Sequence, residues 1–165
     1  MWNIAVLAVM LAVAGAYATR SLQTGDRLQH QAVISLAREM AMYREAVIRY
    51  FEIYDIHDAS VSYATLAASG ALPGWTRMAQ GTSSAIWNNY RDAAGIIYIY
   101  ASSLPAQNIV GELVGVSHQS ILVGTYQATA STLQSPLFGD TNIPLSALTG
   151  KSVPDGAPVW IAMTK

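Results

Sequence analysis

Cysteine is absent from the 165 residues, which excludes disulfides, thiol nucleophiles and thiolate metal sites. Charge is scarce as well. Asp, Glu, Lys and Arg make up 12% of the chain, about half the share of an ordinary soluble domain. A net charge of -1 offers no basic field, so nucleic acid is not an expected partner. No Gly-rich loop ends in Lys-Ser or Lys-Thr, so the sequence signature of nucleotide hydrolysis is missing. Internal repeats are missing too. What the chain has in quantity is hydrophobic residues, at 52%.

The few charges are unevenly placed. Residues 1–19 carry none, residues 20–58 carry five Arg and six acids, and the remaining 107 residues carry eight. That last part is rich in Ser, Thr, Ala, Gly, Asn and Gln. Such a surface suits a secreted or surface-assembled protein, or a domain packed against partners.

The opening MWNIAVLAVMLAVAGAYATR has no charged side chain before Arg20. As a helix, residues 2–19 span about 27 Å, close to the hydrocarbon core of a bilayer. Trp2 stands at one end, where an interfacial aromatic belongs, and Arg20 at the other, where it can snorkel. Three readings compete. A cleaved signal peptide would use Ala16-Tyr17-Ala18, but only Met-Trp-Asn precedes the apolar run where a basic stretch is expected. A filament-type tail would continue into a long amphipathic helix, which it does. A retained single-span anchor needs only the apolar length, and it is the expectation adopted. Trp2, Ile4, Val6, Leu7, Val9, Met10, Leu11 and Val13 would then meet the lipid bilayer. Arg20 and Arg27 both follow the span, so the positive-inside rule would keep the C-terminal part in the cytoplasm.

From Val33 a seam appears: Val33, Leu36, Met40, Tyr43, Val47, Tyr50, Tyr54. The spacings alternate three and four, which aligns seven apolar side chains on one helix face. Ile34, Ala37, Ala41, Ile48 and Phe51 widen the stripe, as suits a helix laid on a sheet. Two uses are open: packing a core, or meeting a partner helix, including a second copy of the chain. Thr24-Gly25-Asp26, between span and stripe, is expected to kink or break the helix.

Asp58 is placed to cap a short helix running through Ser69, with Gly70 as its stop. Residues 83–91 and 95–102 read as an antiparallel strand pair, GIIYIYAS being the strongest strand signal in the chain. Pro105 suits the first turn of a helix reaching His118. Residues 120–131 fit either a strand or more helix. Residues 134–158, with four prolines, read as a loop-rich return, and APVWIAMTK as a final buried strand. The expected fold class is α+β: a long N-terminal helix, membrane-spanning then amphipathic, carrying a small head with about three antiparallel strands and short helices. The divisions are 1–19 transmembrane segment, 20–57 amphipathic helix and 58–165 head.

Catalytic signatures are not found, and neither an enzyme nor a cofactor is expected. His30, His57 and His118 form no HExxH and no ligand pair on one helix. His57 with Asp55 and Asp58 reads as a solvated helix end rather than a metal site. His118 near Ser120 has no nucleophile-elbow context. The tyrosines, nine in all, are expected to pack the core with hydroxyls at its rim.

Four phrases carry a resemblance: MWNIAVLAVMLAV, the helix ending near YFEIYD, TLAASGALPGW and the terminal VWIAMTK. Together they resemble the small PilM-type accessory proteins of plasmid and enterobacterial type IVb, or thin, pilus systems. That resemblance implies a single-pass protein of the bacterial inner membrane, its head in the periplasm against the charge rule. It also implies non-enzymatic work through other pilus-assembly proteins. The alternative resemblance is to a type IV pilin-like minor subunit. Ala5 stands where mature pilins usually have glutamate, and the C-terminal cysteine pair common in type IVb pilins is missing.

Overall fold

The computed structural model describes residues 2–81 and 86–164, with side chains from Arg27 onward. The first element, α1 (Trp2–Tyr54), is a helix of 53 residues, about 80 Å long at 1.5 Å per residue. It runs through Gly25 without a break, so the helix is not interrupted there. The backbone bonds on either side of one glycine outweigh its roughly 1 kcal/mol propensity cost. Among the described residues no helix is long and apolar enough to cross a membrane. The side chains of the expected span, residues 1–19, lie outside the described residues.

Among the described residues six strands follow, not about three: β1 (Trp87–Arg91), β2 (Ile96–Ala101), β3 (Val123–Gln127), β4 (Thr132–Ser135), β5 (Gly139–Pro144) and β6 (Pro158–Met163). They form one antiparallel sheet in the order β1-β2-β6-β3-β4-β5. The C-terminal strand thus fills the centre. Strand β5 falls inside the stretch read as a loop-rich return, and β4 runs into its start. Neither has a hydrophobic signature: β4 is four residues long, and β5 is an edge strand exposed or half-exposed throughout.

The sheet is covered on both faces, which is why β2 and β6 are apolar at consecutive positions rather than alternate ones. Trp87, Ile97, Ile99, Ala101, Val123, Trp160 and Ala162 pack toward α1 through Ala37, Met40, Tyr43, Ala46, Val47 and Phe51. Burying each of the larger of these side chains contributes about 1.5–3 kcal/mol. Tyr98, Tyr100, Leu133, Val159 and Ile161 turn to the opposite face, where Leu145 and Leu148 cover them. Leu148 closes a single 3-10 turn, Ser146–Leu148.

Two short helices complete the head. The first, α2 (Tyr63–Ala68), is capped by Ser62, whose Oγ accepts from the Thr65 amide at 3.1 Å. Asp58 is therefore not the cap. It sits in the left-handed region at φ 50° and accepts from the Tyr90 hydroxyl at 3.2 Å. The second, α3 (Val110–Val116), starts five residues after Pro105 and packs beside α1 through Ile109, Leu113 and Val114. Gly124 is required where β3 meets β4: a Cβ there would stand 2.1 Å from the Gln134 carbonyl oxygen.

Candidate interaction site

The seam is divided between core and surface. Met40, Tyr43 and Val47 are buried; Val33, Leu36 and Tyr50 are half-buried against the same core; Tyr54 is exposed. Its central residues are consumed by the head. The surface available for contacts therefore lies beyond the buried part of the seam, from Tyr54 onward.

Beneath it a polar lock joins α1 to the edge strand β1. Asn89 is buried and faces the helix. Its Nδ2 donates to the Tyr43 hydroxyl at 2.6 Å and to the Val61 carbonyl at 2.7 Å, and its Oδ1 accepts from the Val61 amide at 2.9 Å. Burial pushes the Tyr43 phenol well above its ordinary value, so it stays neutral. Two residues along the same face, the Tyr63 hydroxyl donates to the Trp87 carbonyl at 2.8 Å and accepts from the Trp87 amide at 3.1 Å. Two residues the other way, Ala59 and Arg91 exchange backbone bonds of 3.1 and 2.8 Å. The outer edge of β1 is thereby closed by segment 59–63.

The C-terminus of α1 ends on Arg91. This guanidinium, 3% exposed, reaches the Phe51 carbonyl at 3.5 Å and the Ile56 carbonyl at 3.3 Å. It also donates to Asp55 at 2.9 Å and to the Thr164 hydroxyl at 3.1 Å. A cation is favoured here, where unpaired carbonyls carry the negative end of the helix dipole. The Arg91 hydrogen bond holds the Asp55 carboxyl below the usual carboxylate range, and its charge adds to the effect. His57 lies between two acceptors, Nδ1 at 3.1 Å from the Ala93 carbonyl and Nε2 at 3.3 Å from Asp55.

The result is a pinned knuckle, residues 52–58, that presents its apolar side chains to solvent. Ile53 is 64% exposed, Tyr54 50% and Ile56 44%. Glu52, Asp55 and Asp58, interleaved with them, are exposed too. Asp55, like Asp58, is left-handed, at φ 42°. On β2, Tyr98 is pushed up to about 12, by burial first and then by Asp92. A separate groove of about 190 Å³ lies between Ser35, Glu39 and Met42 of α1 and the turn bearing the exposed Trp75.

The other sequence-level suggestions are not assembled. His57 and Asp58 are engaged by Ala93, Asp55 and Tyr90, and among the described residues no three metal-ligating side chains cluster. His118 is exposed, and the Ser120 hydroxyl accepts from the Leu122 amide. His30 is exposed on α1. Asn89 and Arg91 were missed from sequence, although a signal existed. Trp87, Asn89 and Arg91 share one face of a period-two strand, so two polar residues stand in line with a core tryptophan.

A family model described as PilM matches residues 8–161. Among solved structures, the crystal structure of a protein PilM from Escherichia coli B7A aligns with a TM-score of 0.50 at 18% identity. The alignment covers 81% of this chain and 94% of that one, a likeness of fold. No curated protein matches the chain.

Proposed function

The chain belongs to the PilM family, whose model spans most of its length, and from that premise we propose that it is a membrane-tethered component of type IV pilus biogenesis. The family ties it to pilus biogenesis. The tether and the mode of action are the proposal: residues 2–19 sit in the bacterial inner membrane, the head stands in the periplasm, and the work is done by contact with other pilus-assembly proteins rather than by catalysis.

One observation carries this reading. The apolar opening and the head core belong to the same helix, since α1 runs from Trp2 to Tyr54 and delivers Met40, Tyr43 and Val47 into the core. A head joined to its apolar stretch by uninterrupted helix is held at a set height. Residues 20–32 would raise it about 20 Å above the membrane surface. That geometry suits a component presenting a surface to neighbours.

Fractionation, N-terminal sequencing and a deletion test the proposal together. The full chain is expected in the membrane fraction with Met1 intact, and removing residues 2–19 is expected to release the head and stop piliation. A released head that still supports piliation would overturn the tether. A methylated new N-terminus in isolated filaments would instead establish the pilin-like subunit.

A further inference from the structure

We propose that one rim of the sheet, the rim farther from the apolar opening of α1, docks a folded protein that presents an apolar, uncharged patch. This rests on the reading of the chain as a tethered, contact-making component, and it adds which surface makes the contact and what chemistry the partner brings.

Register and topology gather the rim. Tyr43 bonds to Asn89, while Phe51 and Asp55, further along α1, bond to Arg91. Strand β1 therefore runs with α1, away from the apolar opening. Every pairing in the sheet is antiparallel. The distal rim is thus built from the end of β1, the start of β2, the end of β6, the start of β3 and the β4–β5 turn. The knuckle at 52–58 joins it through Arg91, whose guanidinium also holds Thr164 just past β6. Next to it, the Ile161 amide donates to the Leu122 carbonyl at 2.9 Å, which seats Ile121 beside the end of β6. At about 4.8 Å per strand, the steps from β1 to β4 span about 20 Å.

Apolar side chains collect along this line. Ile53, Tyr54 and Ile56 are exposed on the knuckle, and Met163 at the end of β6. Ile121 is exposed before β3, as are Leu137 and Phe138 in the β4–β5 turn. Among the described residues these are seven of the twelve large apolar side chains left exposed, so they are a grouped patch rather than single scattered residues. Charge is sorted as well. Segments 117–123, 136–139 and 162–164, which form the middle of the rim, contain no Asp, Glu, Lys or Arg. Charges of both signs, Glu52, Asp55, Asp58, Asp92 and Arg49, stand at one end, and Asp140 at the other. An apolar centre poor in charge, with a polar border, is the anatomy of a protein interface.

Area and direction select the occupant. The seven side chains are each about half exposed. At roughly 100 Å² apiece they offer on the order of 700 Å², close to the about 800 Å² that a stable protein pair buries on each side. Two copies held in one bilayer point their distal rims the same way, so a second copy does not face this one. Lipid is excluded by distance, since Tyr54 lies 35 residues past Thr19, about 50 Å on the helix rise.

The test uses the full chain in pilus-forming cells, with a photocrosslinking amino acid in place of Phe138, of Ile53 or of Leu104. Leu104 is exposed after β2, on the opposite rim, and serves as the control. Capture of the same protein from Phe138 and Ile53 but not from Leu104, through a segment of apolar and uncharged residues, supports the proposal. Capture of lipid, of a second copy, of a charged segment or of nothing overturns it, as does equal capture from Leu104. A second arm measures binding of the captured protein to the purified full chain. Leu137→Ser with Phe138→Ser is expected to weaken it at least about tenfold with thermal stability unchanged. Raising salt from about 0.1 M to about 1 M, which shortens the screening length from about 10 Å to about 3 Å, is expected to leave it within about twofold. Equal binding by wild type and variant, or binding lost in salt, overturns the proposal. Membrane fractionation of the same cells separates the two ideas. A chain that stays in the membrane but fails these arms refutes the rim alone; a chain free of the membrane refutes the tether.

Discussion

The two edges of the sheet solve the same problem in opposite ways. A strand edge exposes unpaired amides and carbonyls that invite association. At β1 they are satisfied from within, by the Tyr63 hydroxyl and the Ala59–Arg91 bridge, while the Asn89 side chain holds segment 59–63 in place through the Val61 backbone. At β5 the strand spoils itself as a template. Its pairing with β4 is irregular, Asn142 is left-handed at φ 53°, and the Asn142 amide donates to its own neighbour Asp140 at 2.9 Å. The difference follows from what lies outside each edge. Segment 59–63 and α1 cover β1, so water cannot complete its bonds. Solvent reaches β5, which needs only to be made unattractive. Neither edge offers a clean ladder, which leaves exposed apolar side chains as the natural points of contact.

Breaking the closed edge should cost most. Asn89→Leu strands the Val61 amide and carbonyl and the Tyr43 hydroxyl, each buried. With each orphaned group costing about 1–3 kcal/mol, a loss of about 4 kcal/mol is expected by denaturant titration. A loss below about 1 kcal/mol would mean that water replaces the lock.

Midway between the edges, Gly124→Ala must push β4 away, because its Cβ meets the Gln134 carbonyl. A loss of about 2–3 kcal/mol is expected, in the range of overpacking changes. Amide exchange should rise in β3 to β5 while β1 and β2 stay protected.

Asp55 tests the closed edge by pH. Its folded-state carboxyl titrates below the ordinary 3.8 because of Arg91. Its contribution is therefore present above that value and is lost as pH falls through the lowered one. Asp55→Asn keeps a side chain that tolerates the left-handed backbone. The variant should be less stable than wild type near neutrality, and the gap should close below pH 3.8. Since this carboxylate is exposed, the gap should be small.

The open edge should be the most forgiving. Leu137 and Phe138, at the β4–β5 turn, are both more than half exposed. Changing both to Ser is expected to alter stability by less than about 0.5 kcal/mol. A larger loss would show that this turn is packed and would weaken the contrast.

Much of the architecture was legible because it is written in local periodicity. The stripe from Val33 to Tyr54 implied a helix with a buried face, and GIIYIYAS implied β2 with β1 as its hairpin partner. The C-terminal APVWIAMTK read as buried for the same reason. Strand β5 was not legible, since an edge strand open to solvent needs no apolar alternation, and β4, with four residues and a single apolar side chain, is too short to show one. Nor was the knuckle. Ile53 and Ile56 differ from core isoleucines only in lying beyond the part of α1 that the sheet covers. The roles of Asn89 and Arg91 were half-written, as polar residues on a face that the strand period assigns to the core.

The sequence by itself determined the long helix and the strands β1, β2 and β6, because repeat patterns of three to four residues, or of two, depend only on neighbours along the chain. Tertiary structure alone decided that the last strand takes the centre of the sheet, that Asn89 is shared by helix, loop and strand, and that the end of α1 shows its isoleucines to water. Those outcomes turn on which surfaces exclude solvent from which others, and that is settled between residues 28 to 73 positions apart.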